Sequence, residues 1–288
     1  MNLPLDPDHD KIEWLIHLAL EEDLGSGDIT TDSIVVEDQV QLAVVTAKEP
    51  LVLCGIDIFR SVFTWLDTSS TFPVQEYQDG DTVPQGETII QVKSGCTSLL
   101  KGERTALNIL QWLSGIATLT RKYVERARPV VVLDTRKTRP GMRIFEKYAV
   151  RCGGGSNHRY GLYDAVLIKD NHIKAAGSIS CAVALVRQKW QKSKVVEVET
   201  TCLGEVEEAL NAGVDIIMLD NMPLEMMRKA VRLIDGRVRI EVSGSVNLDS
   251  LDALSASGVD YVSVGALTHS ARAVDISMNI LPRTKETI

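Results

Sequence analysis

No apolar run in the 288-residue sequence approaches the roughly 18 residues a membrane span needs, so no transmembrane helix is expected. The stretch from Met1 to Lys11 holds three Asp and two Pro and lacks a basic flank followed by an apolar segment, which argues against a signal peptide. Cysteine is sparse: Cys54, Cys96, Cys152, Cys181 and Cys202 form an odd, scattered set without a CxxC pair. That spacing argues against a disulfide framework or a zinc knuckle. It fits reduced thiols in a cytoplasm, each acting as a small buried apolar side chain. The five histidines show no HExxH or comparable spacing, so zinc is not expected. Positive charge is in deficit, with Lys+Arg 31 against Asp+Glu 39 and a net charge of -8. A nucleic-acid coat or a binder of anionic membranes requires the opposite sign.

What is present is a globular composition, 44% hydrophobic and 24% charged, long enough for one large α/β domain or two modest ones. Near the N-terminus, Ile12, Leu15, Ile16, Ala19 and Leu20 recur at helical spacing, with Gly25 placed to end the helix. Residues 40–47 and 51–54 read as strands, and Ile56, Phe59, Val62, Phe63 and Leu66 form a second helical stripe. Short strands are expected over 72–77 and 88–92. A long helix follows from Leu99, with Gly115 as its expected stop.

After Pro129, short apolar runs alternate with helical stretches, and each run ends on a polar or small residue. The runs 130–133, 165–168, 195–198, 216–219, 239–242 and 261–264 precede Asp134, Lys169, Glu199, Asp220, Ser243 and Gly265. The later spacings of 21, 23 and 22 residues match one βα unit. Near-continuous apolar strands suit a parallel sheet covered on both faces. No GxGxxG follows the first strand, and reactive side chains end every strand, which favours a barrel over an open doubly wound sheet. In a barrel, Asp134, Lys169, Glu199, Asp220 and Ser243 converge on one face.

Between Val130 and Lys174, nine Lys and Arg face four Asp and Glu, a local +5 in a chain that carries -13 elsewhere. A cationic zone in an acidic protein points to a small anionic ligand. Arg143, Lys147 and Arg151, spaced by four, are expected on a solvated helix face. Arg136, Lys137 and Lys169 directly follow strands and need partners at the barrel mouth. Gly153-Gly154-Gly155 either shapes a turn that aims His158 and Arg159 or is only a flexible loop. Ser243-Gly244-Ser245 and Val264-Gly265-Ala266 each follow a strand and precede a helix, the usual place for phosphate in a βα barrel. Glu199 and Asp220 are either counter-ions for these cations or ligands for Mg²⁺ and sugar hydroxyls.

Several ordered segments resemble one family. They are Gly102-Glu103-Arg104-Thr105-Ala106-Leu107-Asn108, Asp134-Thr135-Arg136-Lys137-Thr138-Arg139-Pro140-Gly141, and Gly153-Gly154-Gly155-Ser156-Asn157-His158-Arg159. Lys169-Asp170-Asn171-His172, Glu197-Val198-Glu199 and Leu219-Asp220-Asn221 continue the series, and residues 25–32 match its N-terminal motif. The set is similar to quinolinate phosphoribosyltransferases, the type II phosphoribosyltransferase family also called carboxylating nicotinate-nucleotide pyrophosphorylases.

The resemblance implies an α/β protein with an N-terminal α/β sandwich domain over 1–112 and an incomplete parallel βα barrel of about six strands over 113–269. The tail, 270–288, is expected to pack back on the first domain. It also implies transfer of phosphoribosyl from phosphoribosyl pyrophosphate to quinolinate, with release of pyrophosphate and CO₂. By the same resemblance Arg136, His158, Arg159 and Lys169 hold the two quinolinate carboxylates, with Thr135 beside them. Lys137, Glu199 and Asp220 serve phosphoribosyl pyrophosphate and Mg²⁺, and Lys137, Lys169, Glu199 and Asp220 carry the chemistry. Ser243, Gly244, Ser245, Val264, Gly265 and Ala266 hold the 5′-phosphate. Arg104 reaches the neighbouring subunit's site in a homodimer. Rival readings are a noncarboxylating pyridine phosphoribosyltransferase, a Schiff-base aldolase using Lys169, and a non-catalytic sensor of phosphorylated metabolites.

Overall fold

Apolar spacing dictates most elements of the computed structural model, which describes residues 7–190 and 194–282. In chain order the helices are α1 (His9–Leu24), α2 (Thr31–Ile34), α3 (Ile56–Leu66), α4 (Cys96–Ala127), α5 (Arg143–Cys152) and α6 (Asp170–Ala176). They continue with α7 (Ile179–Trp190), α8 (Leu203–Ala212), α9 (Leu224–Ile234), α10 (Leu251–Ser255) and α11 (Ala266–His269). The strands are β1 (Val40–Ala47), β2 (Leu51–Val52), β3 (Thr82–Val83), β4 (Thr88–Gly95), β5 (Val131–Leu133) and β6 (Val166–Ile168). After them come β7 (Val196–Thr200), β8 (Ile216–Asp220), β9 (Arg239–Ser243), β10 (Tyr261–Ser263) and β11 (Ile276–Ile280).

The chain divides into two compact units. The first runs to Leu119 and adds Ile144–Gly154 and the segment from Ala271; the second holds Thr120–Arg143 and Gly155–Ser270. α4 is therefore divided after Leu119, and α5, expected within the barrel domain, groups with the first unit. In that unit an antiparallel sheet runs β11-β1-β4, and β2 pairs with β3. The tail supplies β11, where Ala43 faces Ile280 and Ala47 faces Ile276; residues 283–288 of that tail lie outside the described residues. Ala43, Val45 and Ala47 alternate inward along β1 and are fully buried. α3 buries Ile56, Ile58, Phe59, Val62 and Phe63, with the two Phe rings 5.1 Å apart. α1 opens on Asp8, whose carboxylate accepts the Lys11 N–H at 3.0 Å, and it closes on Gly25 in a positive-φ turn.

Three sequence expectations are corrected here. Gly115 does not stop its helix, because α4 continues to Ala127. The residue is glycine for another reason: a Cβ there would overlap the Arg272 carbonyl oxygen, and the Ala273 Cα would lie at 3.2 Å. The segment 72–77 is no continuous strand; isolated bridges, Thr71 with Lys93 and Gln75 with Ile90, and the Gln91 N–H donating to Val74 C=O tie it to β4. Lys147, expected on a solvated face, is 1% exposed on α5, next to the fully buried Glu146. A period of four records which residues share a helix face, not whether that face meets solvent.

The second unit holds one six-stranded parallel sheet in the order β5-β10-β9-β8-β7-β6, the incomplete barrel. Its covering helices are amphipathic, as in α9, which buries Met227, Ala230 and Ile234. Beyond the outer edge of β5, Ser156 forms a single parallel bridge with Leu133. No helix among the described residues is long and apolar enough to cross a membrane.

Replacing Gly115 with Ala tests the close approach. A forced backbone shift of this kind costs about 1–3 kcal/mol, so Gly115→Ala should lower the urea midpoint without changing m. An unchanged midpoint would show that the chain at Arg272 yields freely.

Candidate active site

Parallel strands side by side bring their C-terminal ends to one mouth, and the two-residue repeat of a strand sets which side chains enter it. Register pairs Leu167 with Glu197, Glu199 with Met218, Met218 with Glu241, and Asp220 with Ser243. Side chains two positions apart therefore face the mouth together, Leu167 with Lys169, Met218 with Asp220 and Glu241 with Ser243, joined by Glu199 and Ser263. Thr135, Arg136, Lys137, His158, Arg159, Asn221, Gly244 and Ser245 complete a cavity of about 580 Å³.

His158 and Arg159 reach the cavity because the chain before them is stitched to β5. The Ser156 N–H donates to Val132 C=O at 2.8 Å, and the Asp134 N–H donates to Ser156 C=O at 3.1 Å. Asp134 is fully buried; its carboxylate accepts the Asn157 side-chain amide at 2.6 Å and the His158 N–H at 3.0 Å. Of the three glycines, Gly154 adopts positive φ, at 90°, just after α5. Asp134 thus holds the loop in place and does not line the cavity.

The His158 ring is held at both nitrogens. Nδ1 accepts the Arg159 N–H at 2.8 Å, which assigns the ring hydrogen to Nε2. Nε2 lies 3.0 Å from Glu197 Oε2 and 3.5 Å from Glu241 Oε2. Both glutamates are buried, and one oxygen of each, Oε1, meets no hydrogen-bond partner among the described residues. Burial first, then the Glu197 carboxylate, push the Glu241 carboxyl up to about 8 against the opposing pull of His158. At neutral pH Glu241 is therefore a neutral acid in the cavity lining.

The cations at the cavity are only partly compensated. Arg136 Nε is buried and meets no hydrogen-bond partner among the described residues. Arg159 donates Nη1 to the Ala165 carbonyl at 3.3 Å. Its guanidinium is pulled below its usual range by burial and then by the positive charge of Arg136. Lys169 forms an ion pair with Glu199, whose side chain is 14% exposed. The Asn221 amide donates to Asp220 Oδ2 at 2.8 Å. Asn221 has φ 52° and packs so closely on Gly244, φ 94°, that a Cβ on Gly244 would overlap its amide. Only glycine fits that turn, which leads into Ser245 at φ 50°.

The structure gathers Thr135, Arg136, Lys137, His158, Arg159, Lys169, Glu199, Asp220, Ser243, Gly244 and Ser245 around one cavity. Val264, Gly265 and Ala266 are not among its lining residues. Gly265 lies against Lys137 instead, with its Cβ position 2.9 Å from the Lys137 stem, and the Thr268 hydroxyl donates to Lys137 C=O at 2.8 Å. Arg104 is exposed on α4 in the first unit. Sequence reasoning assigned no role to Glu197, Glu241, Met218, Leu167 or Ser263. Their signal was the strand period, two residues before each strand-end residue.

The chain matches two adjoining family models: quinolinate phosphoribosyl transferase, N-terminal domain, over residues 28–114, and quinolinate phosphoribosyl transferase, C-terminal domain, over residues 116–279. A Nicotiana tabacum protein named quinolinate phosphoribosyltransferase (decarboxylating) 1b is 42% identical over 296 residues, covering 96% of this chain and 84% of that protein. The crystal structure of NadC from Streptococcus pyogenes superimposes with a TM-score of 0.92 at 44% identity, covering 96% of this chain and 99% of that one. The nicotinate-nucleotide pyrophosphorylase from Francisella tularensis gives 0.90 at 42% identity, over 95% and 97% of the two chains.

The buried acid sets a pH dependence. Because the folded value for Glu241, about 8, lies above the ordinary 4.5, its contribution to stability is complete below pH 4.5 and is lost as pH rises to about 8. Glu241→Gln keeps the shape without the titration. From about pH 5 to pH 9 the wild-type Tm should fall more than the variant's, by on the order of 5 °C. Parallel curves would remove Glu241 from this role.

Proposed function

The chain belongs to the quinolinate phosphoribosyltransferase family, and on that premise we propose that its cavity joins quinolinate to phosphoribosyl pyrophosphate. The products are nicotinate mononucleotide for NAD synthesis, pyrophosphate and CO₂. One observation carries the reading: two like-charged guanidiniums, Arg136 and Arg159, share one cavity, and Nε of the first meets no partner among the described residues. Buried cations that repel one another are stabilised by a ligand with two anionic groups, and planar guanidiniums suit carboxylates.

In this reading Arg136 and Arg159 hold the quinolinate carboxylates, with Lys169 above them. His158 shapes the wall between them, its ring fixed by the backbone N–H of Arg159 and by Glu197. Held this way, the pyridine nitrogen faces the anomeric carbon of the ribosyl group. The C–O bond to pyrophosphate breaks as the N–C bond forms. The cationic pyridinium then accepts the electron pair released when the 2-carboxylate leaves as CO₂, and that carbon takes up a proton from solvent. Glu199 and Asp220 stabilise the positive charge that develops on the ribosyl ring. No side chain acts as a covalent nucleophile.

Ser243, Gly244 and Ser245 receive the 5′-phosphate, with Val264, Gly265 and Ala266 supporting them and Lys137. Mg²⁺ fits Glu199 and Asp220, because this ion is commonly held by one or two carboxylates and by substrate phosphates. When bound, it neutralises departing pyrophosphate. The enzyme acts as a cytoplasmic homodimer in which Arg104 reaches the neighbouring site.

Mass spectrometry of products decides the assignment. With Mg²⁺ and phosphoribosyl pyrophosphate, quinolinate should give nicotinate mononucleotide and CO₂, and nicotinate should give little product. Product from nicotinate alone would move the chain to noncarboxylating chemistry. Subunits carrying Arg104→Ala or Arg136→Ala should each be inactive, yet a randomly assorted mixture should recover about a quarter of wild-type activity, because half the dimers regain one complete site. Verified heterodimers without activity would sink the shared site.

A further inference from the structure

Outside the cavity, the first unit brings two thiols together. Cys54 follows β2 and is fully buried, Cys152 ends α5 and is half-buried, and both are reduced. Their sulfurs lie within 4.8 Å of each other. The surrounding backbone is fixed. The Ser114 hydroxyl accepts the Cys54 N–H at 3.0 Å and lies 3.2 Å from the Cys54 C=O. The Leu53 C=O accepts the Gly80 N–H at 2.8 Å, and the Cys152 carbonyl lies 3.6 Å from where a Gly80 Cβ would stand.

The Asp79 carboxylate is within the same 4.8 Å of both sulfurs. Two thiolates and a carboxylate form a donor set for a soft divalent cation. Asp79 is already engaged, however. Its Oδ1 accepts the Gly55 and Ile56 N–H groups at 2.9 and 3.0 Å, capping α3, and its Oδ2 accepts the Tyr148 hydroxyl at 2.7 Å. Its oxygens are engaged by the helix start and by α5, and the two sulfurs lie within 4.8 Å of each other.

We propose that Cys54 and Cys152 are a peroxide-reactive pair that closes into a reversible disulfide. The Cys152 thiolate attacks a peroxide oxygen, so an S–O bond forms, the O–O bond breaks, and water leaves when the peroxide is hydrogen peroxide. The Cys54 sulfur then attacks the Cys152 sulfur. The S–S bond forms, the S–O bond breaks, and the Cys54 proton leaves in a second water. Two thiols are oxidised and one peroxide is reduced. The order follows from the surroundings: Cys152 is the accessible partner, and its thiol is lowered first by the hydrogen bond from Cys54, whereas burial pushes Cys54 up. The bond would tie the β2–α3 loop to the end of α5, directly ahead of Gly153-Gly154-Gly155 in the chain.

The test treats the full-length reduced protein with hydrogen peroxide and counts thiols after denaturation. The count should fall from five to three and return to five with dithiothreitol. Peptide mapping should find Cys54 joined to Cys152. Cys152→Ser, at a half-exposed position, should keep its four thiols under the same dose, whereas Cys54→Ala, if it folds, should lose one thiol, as a Cys152 sulfenic acid, and form no disulfide. A variant lacking the exposed Cys181 and Cys202 should still lose two. The proposal is overturned if the bond found involves Cys96, Cys181 or Cys202, if Cys152 is oxidised while Cys54 stays a thiol, or if zinc copurifies on the pair. These readouts are independent of turnover.

Discussion

The two-residue period of the parallel strands is the constraint on which the site depends. It turns Lys169, Glu199, Asp220 and Ser243, together with Leu167, Met218, Glu241 and Ser263, toward one cavity. A slip of one residue in any strand would turn its pair of inward side chains out of the cavity. Apolar Leu167 and Met218 share the cavity lining with Glu241, which burial keeps protonated at neutral pH. Glu241 therefore adds little negative charge beside the cations.

The charges around the cavity are only partly balanced within the chain. Arg136 depresses Arg159, Arg136 Nε has no partner among the described residues, and Lys169 is committed to a carboxylate, Glu199. Such an arrangement costs stability until an anion arrives, so binding energy and site strain are coupled. The His158 loop shows how the positions are kept. Asp134, buried at the end of β5, accepts from Asn157 and from the His158 backbone, and the ring is then gripped by Arg159 and Glu197. Much of the acidic machinery thus orients basic groups.

The first unit follows different logic. There some close contacts are backbone to backbone, as with Gly115 against Arg272 and the Asp79 loop against Leu53 and Cys152. β11 adds a third strand to β1 and β4, so residues remote in sequence complete one sheet. The juxtaposition of Cys54 and Cys152 is a product of this packing. Ninety-eight positions separate them, and cysteine spacing read along the chain gave no hint of a pair.

The sequence by itself determined the elements with strong periodicity: the six strands of the barrel, their polar ends, and the ordered motifs that mark the family. Four of the cavity's residues, Lys169, Glu199, Asp220 and Ser243, follow from strand ends meeting at one mouth, and the family motifs supply seven more. Sequence reasoning misread Gly115, the segment 72–77 and Lys147. Each of those depends on what packs against it, and local pattern carries no record of that. Tertiary packing alone sets Glu197 and Glu241 against His158, keeps Val264, Gly265 and Ala266 out of the cavity lining, and brings two thiols together. The physical reason is the same throughout. Periodicity is written in neighbouring residues, whereas hydrogen-bond partners, burial and charge coupling arise between residues that only the fold brings together.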